Sequence, residues 1–273
     1  AANPHRQWML PSATVLSGND PWVTVDAAVS NDLFYFDHVP MRLDGIEVIA
    51  PDGSKGQIKN GATGKYRSTF DVQLDKPGTY KIVNAGGGLM AFYKQGGENK
   101  RWRGSADQLA TAIPKDAADV RLVENDRRAE IFVTRGAPTK EALKITGKGL
   151  ELEPVTHPND LVASEPATFK LLLDGKPAAD VEVEVIRGDG RYRADKSEQK
   201  LKTDATGAFT VKWPEAGMYW LEASARAGAM PDAIRLFTKL WLLTPAEIKL
   251  IFCASVIDFA QRNSRGAALP LLR

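Results

Sequence analysis

Apolar and polar residues alternate along many short segments of this chain, and turn-forming residues separate those segments. Residues 23–29 (VTVDAAV) and 181–186 (VEVEVI) alternate with a period of two, and residues 33–36 (LFYF) follow the first segment across a break at 30–32 (SND). Such alternation places one face of a strand against a core and the other face in water. All three segments predict β-strands, and the whole pattern predicts a chain built mainly of strands and tight turns.

One motif occurs twice. Residues 70–80 (FDVQLDKPGTY) and 209–219 (FTVKWPEAGMY) share Phe, Val, Gly and Tyr at identical offsets, and the two copies lie 139 residues apart. Each copy predicts a strand, a Pro-containing turn and a second strand that opens with Tyr. Tyr80 and Tyr219 therefore suit the tyrosine-corner role, with the ring in a core and the hydroxyl bonded to nearby backbone. The separation favours two sandwich domains of about 100 residues each over a short-period solenoid.

Turn formers between residues 137 and 160 predict an interdomain linker, with the boundary near residue 155. Residues 1–155 are expected to form an N-terminal β-sandwich domain, and residues 156–235 a second β domain. The order of strands and turns in the second domain resembles that of transthyretin-like and Ig-like accessory domains. The predicted fold class is therefore all-β, with two tandem Ig-like or transthyretin-like β-sandwich domains and a C-terminal helical tail.

Two segments predict helices. Ser105 is a suitable N-cap for a short helix through residue 111 that Pro114 would stop. In residues 245–260, apolar side chains recur at helical spacing after Thr244, a plausible N-cap. Residues 236–273 are therefore expected to be an atypical helical or disordered tail.

Composition narrows the classes of partner and the compartment. Lys and Arg number 36 against 34 Asp and Glu, so the chain lacks the strong basic charge expected of a nucleic-acid-binding protein. Cys253 is the single cysteine, and cysteine-free β domains suit an exported protein. Residues 1–4 (AANP) resemble what signal-peptide cleavage leaves behind, so a periplasmic or otherwise exported protein is expected. No stretch of about 18 apolar residues predicts a transmembrane span.

Several separated motifs resemble one family. They are residues 5–12 (HRQWMLPS), 34–40 (FYFDHVP), 149–152 (GLEL), 156–161 (THPNDL) and 174–177 (DGKP). In this order they resemble the domain of unknown function 4198 family, and the resemblance extends over roughly residues 5 to 230. From about Leu236 the chain departs from the family pattern, in which members finish on a further β-strand. A shifted reading frame near residue 236 is one hypothesis for the departure, and resequencing of the intact gene tests it.

The resemblance also implies a function, because some members of that family are described as periplasmic components of nickel or cobalt uptake. It implies an exported, non-enzymatic accessory protein that either binds the metal or docks on a transporter. The expected partners are a transition-metal ion and a membrane transporter or outer-membrane receptor.

The three histidines, His5, His38 and His157, all fall within the family-like motifs. Imidazole is a good ligand for Ni²⁺, Co²⁺, Cu²⁺ and Zn²⁺. Asp37 adjoins His38, so His5, His38, Asp37 and His157 are the candidate metal ligands, with Ni²⁺ or Co²⁺ as the expected ion and Cu²⁺ or Zn²⁺ as alternatives.

Each candidate ligand also has a simpler interpretation. His5 is then merely exposed, residues 37–40 form a turn at a strand end, and His157 braces the linker by hydrogen bonding. Met9 and Met41 lie close in sequence to the first two histidines and are further candidate ligands. Adjacent residues of a strand point to opposite faces, so Asp37 and His38 share a metal only at a bend.

Motifs for catalysis are lacking, so the chain is expected not to be an enzyme. It has no Gly-x-Ser-x-Gly elbow, His-Glu-x-x-His helix or phosphate loop, and residues 86–88 (GGG) predict a bend between two strands. The rival function is a structural or ligand-binding tandem Ig-like protein that engages carbohydrate or an outer-membrane protein. Trp102, within the basic segment 100–103 (KRWR), is the candidate contact, and its alternative is a place in a core.

Overall fold

The computed structural model describes residues 5–188, 198–227, 242–243 and 246–256. Residues 1–4 and most of the predicted tail lie outside this part of the chain. The first ten strands are β1 (Arg6–Pro11), β2 (Val15–Leu16), β3 (Trp22–Ser30), β4 (Val39–Pro40), β5 (Ile46–Ile49), β6 (Lys55–Gly56), β7 (Lys59–Thr63), β8 (Ser68–Gln73), β9 (Gly78–Gln95) and β10 (Glu98–Gly104). Next come helix α1 (Ala106–Ala112), strand β11 (Ala118–Arg135) and a 3-10 turn at Glu141–Leu143. The remaining strands are β12 (Leu150–Pro154), β13 (Pro166–Leu173), β14 (Lys176–Pro177), β15 (Glu182–Arg187), β16 (Gln199–Lys202), β17 (Ala208–Lys212), β18 (Gly217–Ala227), β19 (Leu242–Leu243) and β20 (Ala246–Val256).

These strands form three sheets. The first has the order β1-β3-β8-β7, with β4 also paired to β3. The second and largest has the order β16-β15-β18-β20-β11-β9-β5-β6, and β2, β10 and β19 join it at its long strands. The third has the order β12-β13-β14, with β17 also paired to β13.

The second sheet is shared by two hydrophobic cores, because successive residues of a strand point to opposite faces. On β11, Ile131 packs in a core with the first sheet, and Phe132 packs in a core with the third sheet. On β18, Trp220 belongs to the first core and Tyr219 to the second. The first and third sheets therefore cover opposite faces of the shared sheet, which gives two β-sandwiches in three layers. The predicted all-β, double-sandwich fold is confirmed, and the shared sheet is the feature that the sequence did not indicate.

Both tyrosines of the repeated motif form the predicted corners. The Tyr80 hydroxyl accepts a hydrogen bond from the Lys76 backbone N–H and donates one to Asp75 Oδ1, each at 2.8 Å. The Tyr219 hydroxyl donates to the Glu215 carbonyl oxygen at 2.7 Å. Both rings are buried in the cores. Each corner thus ties the turn of its motif to a sandwich core.

The strand just before the predicted boundary at residue 155 belongs to the second sandwich. β12 pairs with β13, and Leu150 and Leu152 pack in the second core. Beside them lies a buried chain of charges in which Lys81 contacts Glu130 at 3.2 Å and Arg128 contacts Glu151 at 2.9 Å.

The predicted short helix is present as α1. It follows Ser105, whose backbone N–H donates to Gln108 Oε1 at 3.3 Å, and it ends before Pro114. Its Leu109 and Ile113 pack in a small third core that covers the far ends of β9 and β11. Among the described residues, no helix is long and apolar enough to cross a membrane.

Three predictions about local structure were wrong. Residues 33–36 form a turn rather than a strand, and Phe34 has a positive φ of 64°. Residues 86–88 do not bend the chain between two strands, because they lie within β9 and pair with residues 125–127 of β11.

The third error is the C-terminal helix. Residues 246–256 form strand β20, which pairs antiparallel with β18 and parallel with β11. A strand with neighbours on both sides is often apolar on both faces, so it loses the period-two pattern and is confused with a helix. The rest of the predicted tail, apart from β19, lies outside the described residues.

Candidate functional site

The end of β3 brings His5 and His38 together, although 33 residues separate them in sequence. His5 precedes β1, and His38 precedes β4. Both strands pair with β3, with Arg6 opposite Ser30 and Val39 opposite Val29. The two histidines therefore stand on either side of the last residue of β3.

The two imidazole rings are stacked. Their centroids are 3.7 Å apart and their planes differ by 28°. His5 is exposed and His38 is half-buried, so solvent reaches the pair. Two nitrogen-bearing rings thus meet at the surface of the first sandwich.

Asp37 lies next to the pair but its carboxylate is engaged within its own loop. Oδ1 accepts a hydrogen bond from the Asn31 backbone N–H at 2.8 Å, and Oδ2 accepts one from the Asp32 N–H at 3.2 Å. These bonds close the loop between β3 and β4. Asp37 therefore holds His38 in place through the backbone, and its carboxylate is already occupied.

The two candidate thioethers are in the core. Met9 is 1% exposed and Met41 is 3% exposed, and both pack with the apolar side chains of the first sandwich. They serve as core residues here, and neither side chain reaches the solvent-facing histidine pair.

His157 occupies a different place, at the junction of the two sandwiches. Its Nδ1 accepts from the Asn159 backbone N–H at 3.1 Å, so Nε2 carries the proton and donates to the Thr139 carbonyl oxygen at 3.0 Å. Thr79 Oγ1 lies 3.1 Å from the same Nε2. Burial lowers the pKa of His157 and favours this neutral form. These bonds match the bracing alternative, and a metal at His157 would have to displace one of them.

A complete metal cage is not preformed. In residues 5–188, 198–227, 242–243 and 246–256, no group of three or more His, Cys, Asp or Glu side chains is arranged to hold an ion. The stacked histidines thus offer two ligands, and any further ligands must come from water or from another molecule.

The strand that follows His5 is anchored to the shared sheet, a link that no sequence pattern indicated. Trp220 Nε1 donates to the Gln7 carbonyl oxygen at 3.0 Å, and the Arg6 guanidinium lies 5.4 Å from the centroid of the Trp220 ring. Arg6 also approaches Glu184 at 3.8 Å. These contacts between the first sheet and the shared sheet fix the strand next to His5.

Phe36, two residues before His38, is an exposed aromatic side chain in the same loop. Phe36 is 39% exposed, the Arg67 guanidinium lies 4.5 Å from its ring centroid, and the Trp8 ring lies 5.7 Å from it. The predicted strand at 33–36 gave no reason to expect an exposed Phe36. The observed turn places Phe36 at the surface. Aromatic residues beside a turn signal were the only sequence clue.

Trp102 adopts its core alternative. The indole packs against the small core beneath α1 and is close enough to Gly104 that a side chain there would overlap it. The neighbouring Lys100 pairs with Glu98 on the same strand. Trp102 is half-buried rather than displayed, which weakens the case for a carbohydrate contact at this position.

A family model described as "Domain of unknown function (DUF4198)" matches residues 2–227. The chain belongs to the DUF4198 family. The match ends where β18 ends, so β19 and β20 lie beyond the residues that the DUF4198 model covers. No curated protein matches this DUF4198 chain.

Solved structures give distant likenesses only. The D0–D1 domains of intimin align at 13% identity and a TM-score of 0.21, covering 89% of this chain and 96% of that one. A D1–D4 ectodomain fragment of ICAM-5 aligns at 11% identity and a TM-score of 0.21, covering 93% of this chain and 51% of that one. The ligand-binding domain of human OSCAR aligns at 11% identity and a TM-score of 0.18, covering 89% and 97%. Alignments this weak carry no weight for function, and the sandwich description rests on the strand pairing and the two cores.

Proposed function

We propose that this protein is an exported, non-enzymatic accessory protein of nickel or cobalt uptake that binds the ion through His5 and His38. The observation that carries the proposal is the stacked contact between these two rings, 3.7 Å apart and open to solvent. Neutral imidazole nitrogen is a favoured ligand of Ni²⁺ and Co²⁺, and also of Cu²⁺ and Zn²⁺. Two rings side by side can occupy neighbouring positions around one ion.

An incomplete site suits the transfer of a metal rather than its storage. Two imidazoles leave several coordination positions for water or for the donors of a partner, so the ion can pass on without leaving a closed cage. The Asp37 loop supplies the rigidity of such a site, because its two backbone hydrogen bonds hold the segment that carries His38. A membrane transporter or an outer-membrane receptor is the partner that an uptake role requires.

The test is isothermal titration of the chelator-stripped protein with Ni²⁺, Co²⁺, Cu²⁺ and Zn²⁺. We expect one ion per chain, with affinity reduced about tenfold or more in His5→Ala and in His38→Ala. Val39→Ala is the matched control, because Val39 is exposed beside the pair and carries no ligand. Metal accumulation in cells that carry the double His variant then tests uptake itself.

Two outcomes would go against metal binding by the pair. Binding that survives His5→Ala/His38→Ala would assign the ligands to other residues. The absence of binding to all four ions would leave docking on a transporter, or the rival structural and ligand-binding role, as the better account.

A further inference from the structure

A second surface feature has no part in the proposed metal function. It is a cavity of about 340 Å³ at the point where β9 and β11 extend beyond the first sandwich. Residues 86–88 of β9 form one wall, Asn125 and Arg127 of β11 form another, and Arg103 of β10 closes the side. We call this space the arginine cavity.

Two glycines of this segment, Gly86 and Gly88, create the room for this cavity. Gly86 pairs with Arg127 and Gly88 pairs with Asn125, so these four residues share one face of the shared sheet. On that face the glycines contribute no side chain, and bare backbone forms the floor. The same face carries the first core further along, so the arginine cavity opens where apolar packing ends.

Arg103 and Arg127 bring positive charge to the lining of this space. Among the described residues, neither the Arg103 nor the Arg127 guanidinium forms an ion pair or a side-chain hydrogen bond. Burial and the nearby charges of Arg103 and Arg42 lower the pKa of Arg127, because both disfavour the charged form of its guanidinium. Asp126 also borders the cavity, but its carboxylate lies against Gly87 on the other face of the strand pair.

Two guanidinium groups that line one cavity suit the binding of an oxyanion. The planar fork of Arg matches phosphate and carboxylate oxygens, and such charge-assisted bonds are stronger than neutral ones. A space of about 340 Å³ lies at the small end of ligand pockets. We propose that the arginine cavity binds a small molecule through its phosphate or carboxylate group, with Arg103 and Arg127 as the anion ligands and the Asn125 amide as a further donor.

The experiment uses the full chain and two probes, inorganic phosphate and citrate, at constant ionic strength set with sodium chloride. We expect at least one probe to bind saturably at one site, and its affinity to fall about tenfold or more in Arg103→Ala and in Arg127→Ala. Binding of citrate but not phosphate would indicate a ligand with a carboxylate group. Binding of phosphate but not citrate would indicate a ligand with a phosphoryl group. Arg121→Ala is the matched control, because Arg121 is on the same strand with its guanidinium over Phe92, outside the cavity.

Gly86→Val provides a second variant that keeps every charge. Its Cβ would stand 3.6 Å from Arg127 Nε, an ordinary contact, and the remaining methyl groups would fill the floor of the cavity. We expect binding to weaken about tenfold while far-UV circular dichroism stays unchanged. The proposal is overturned if neither probe binds at 10 mM, or if Arg103→Ala/Arg127→Ala binds as the wild type does. It is also overturned if Arg121→Ala loses as much affinity as the cavity variants.

Discussion

Tyr80 and Lys81 are consecutive residues of β9 that face opposite cores, and both bring a polar group into a buried place. Tyr80 is 1% exposed and Lys81 is 2% exposed. The hydroxyl of Tyr80 is satisfied by its own turn, and the ammonium of Lys81 is satisfied by Glu130 across the strand pair. A buried polar group stabilises a fold only while its partners remain, so each of these contacts makes a testable prediction.

Tyr80→Phe is expected to lower the free energy of unfolding by about 1–2 kcal/mol, because two hydrogen bonds of the corner are lost. Burial raises the pKa of Tyr80 to about 12, so its hydroxyl keeps the proton that it donates to Asp75. Urea denaturation measures the change. Tyr66→Phe is the control and should be neutral, since Tyr66 is 42% exposed. If Tyr80→Phe and Tyr66→Phe change the free energy of unfolding equally, the hydrogen bonds of the corner do not stabilise the fold.

Lys81→Met is expected to lower the free energy of unfolding by about 3 kcal/mol, because the buried Glu130 then keeps only Arg128 as a charged partner. Lys81→Met/Glu130→Gln should recover part of that loss, since the uncompensated charge is gone. Lys94→Met, which breaks the exposed pair with Asp119, is the control and should cost less than about 1 kcal/mol. If Lys81→Met lowers the free energy of unfolding no more than Lys94→Met does, the expectation is contradicted.

At the scale of elements, β20 joins the two halves of the shared sheet. It pairs with β18 of the second sandwich on one side and with β11 of the first on the other. Without it, the described strands β18 and β11 would each present an edge to solvent, and unpaired edges are prone to association. The strand therefore joins β18 and β11 in one continuous sheet.

Two backbone measurements on residues 247–255 test this strand. We expect negative Cα secondary chemical shifts, as in a strand, together with slow amide hydrogen exchange, because neighbours pair on both sides. β7 is the internal comparison, since its residues are all exposed at the edge of the first sheet, and its amides should exchange faster. Positive Cα shifts would restore the helix predicted from sequence, and exchange as fast as in β7 would exclude a central strand.

At the scale of the molecule, side chains of the shared sheet pack in both cores. Trp220 is fully buried in the first core and Phe132 is buried in the second. Near Trp220, Glu184 of β15 lies opposite Glu222 of β18 in the strand register. Its carboxylate also approaches the Arg6 guanidinium of β1. Burial, together with the nearby Glu198 and Glu222, raises the pKa of Glu184 to about 7.

This raised pKa predicts a stability that falls as the pH rises. The pKa of Glu184 is about 4.5 in the unfolded chain and about 7 in the folded protein. Between these pH values the folded protein holds the Glu184 proton and the unfolded chain releases it. The free energy of unfolding therefore falls as the pH rises from about 4.5 to about 7, and this contribution is lost above about 7. Glu184→Gln should flatten the dependence and gain on the order of 1 kcal/mol at pH 8, a figure reduced for the partial exposure of the group. Urea denaturation at pH 5 and pH 8 measures it.

Glu182→Gln, an exposed carboxylate on the same strand, is the control for Glu184→Gln. It should leave the difference between pH 5 and pH 8 as it is in the wild type. The wild type should lose more free energy of unfolding between pH 5 and pH 8 than Glu184→Gln does. Equal losses would contradict a raised pKa of Glu184.

Local patterns were enough to establish the class of fold. Alternation along residues 181–186 and the repeated Gly-x-Tyr motif predicted strands and corners, because both depend on neighbours within a few residues. The same holds for α1, whose start at Ser105 and stop before Pro114 are local signals. For the candidate metal site, the sequence supplied the residue types, His5 and His38, from the family-like motifs.

Tertiary structure decided the rest, because pairing between distant strands is not written in local periodicity. It alone brought His5 beside His38, occupied Asp37 and His157 with hydrogen bonds, and placed Met9 and Met41 in the core. It also turned residues 246–256 from a predicted helix into a strand, since two neighbouring strands offer backbone partners that helical spacing does not reveal. Local patterns thus account for the strands, the corners and the types of the candidate ligands, whereas the order of strands in the shared sheet accounts for which side chains meet.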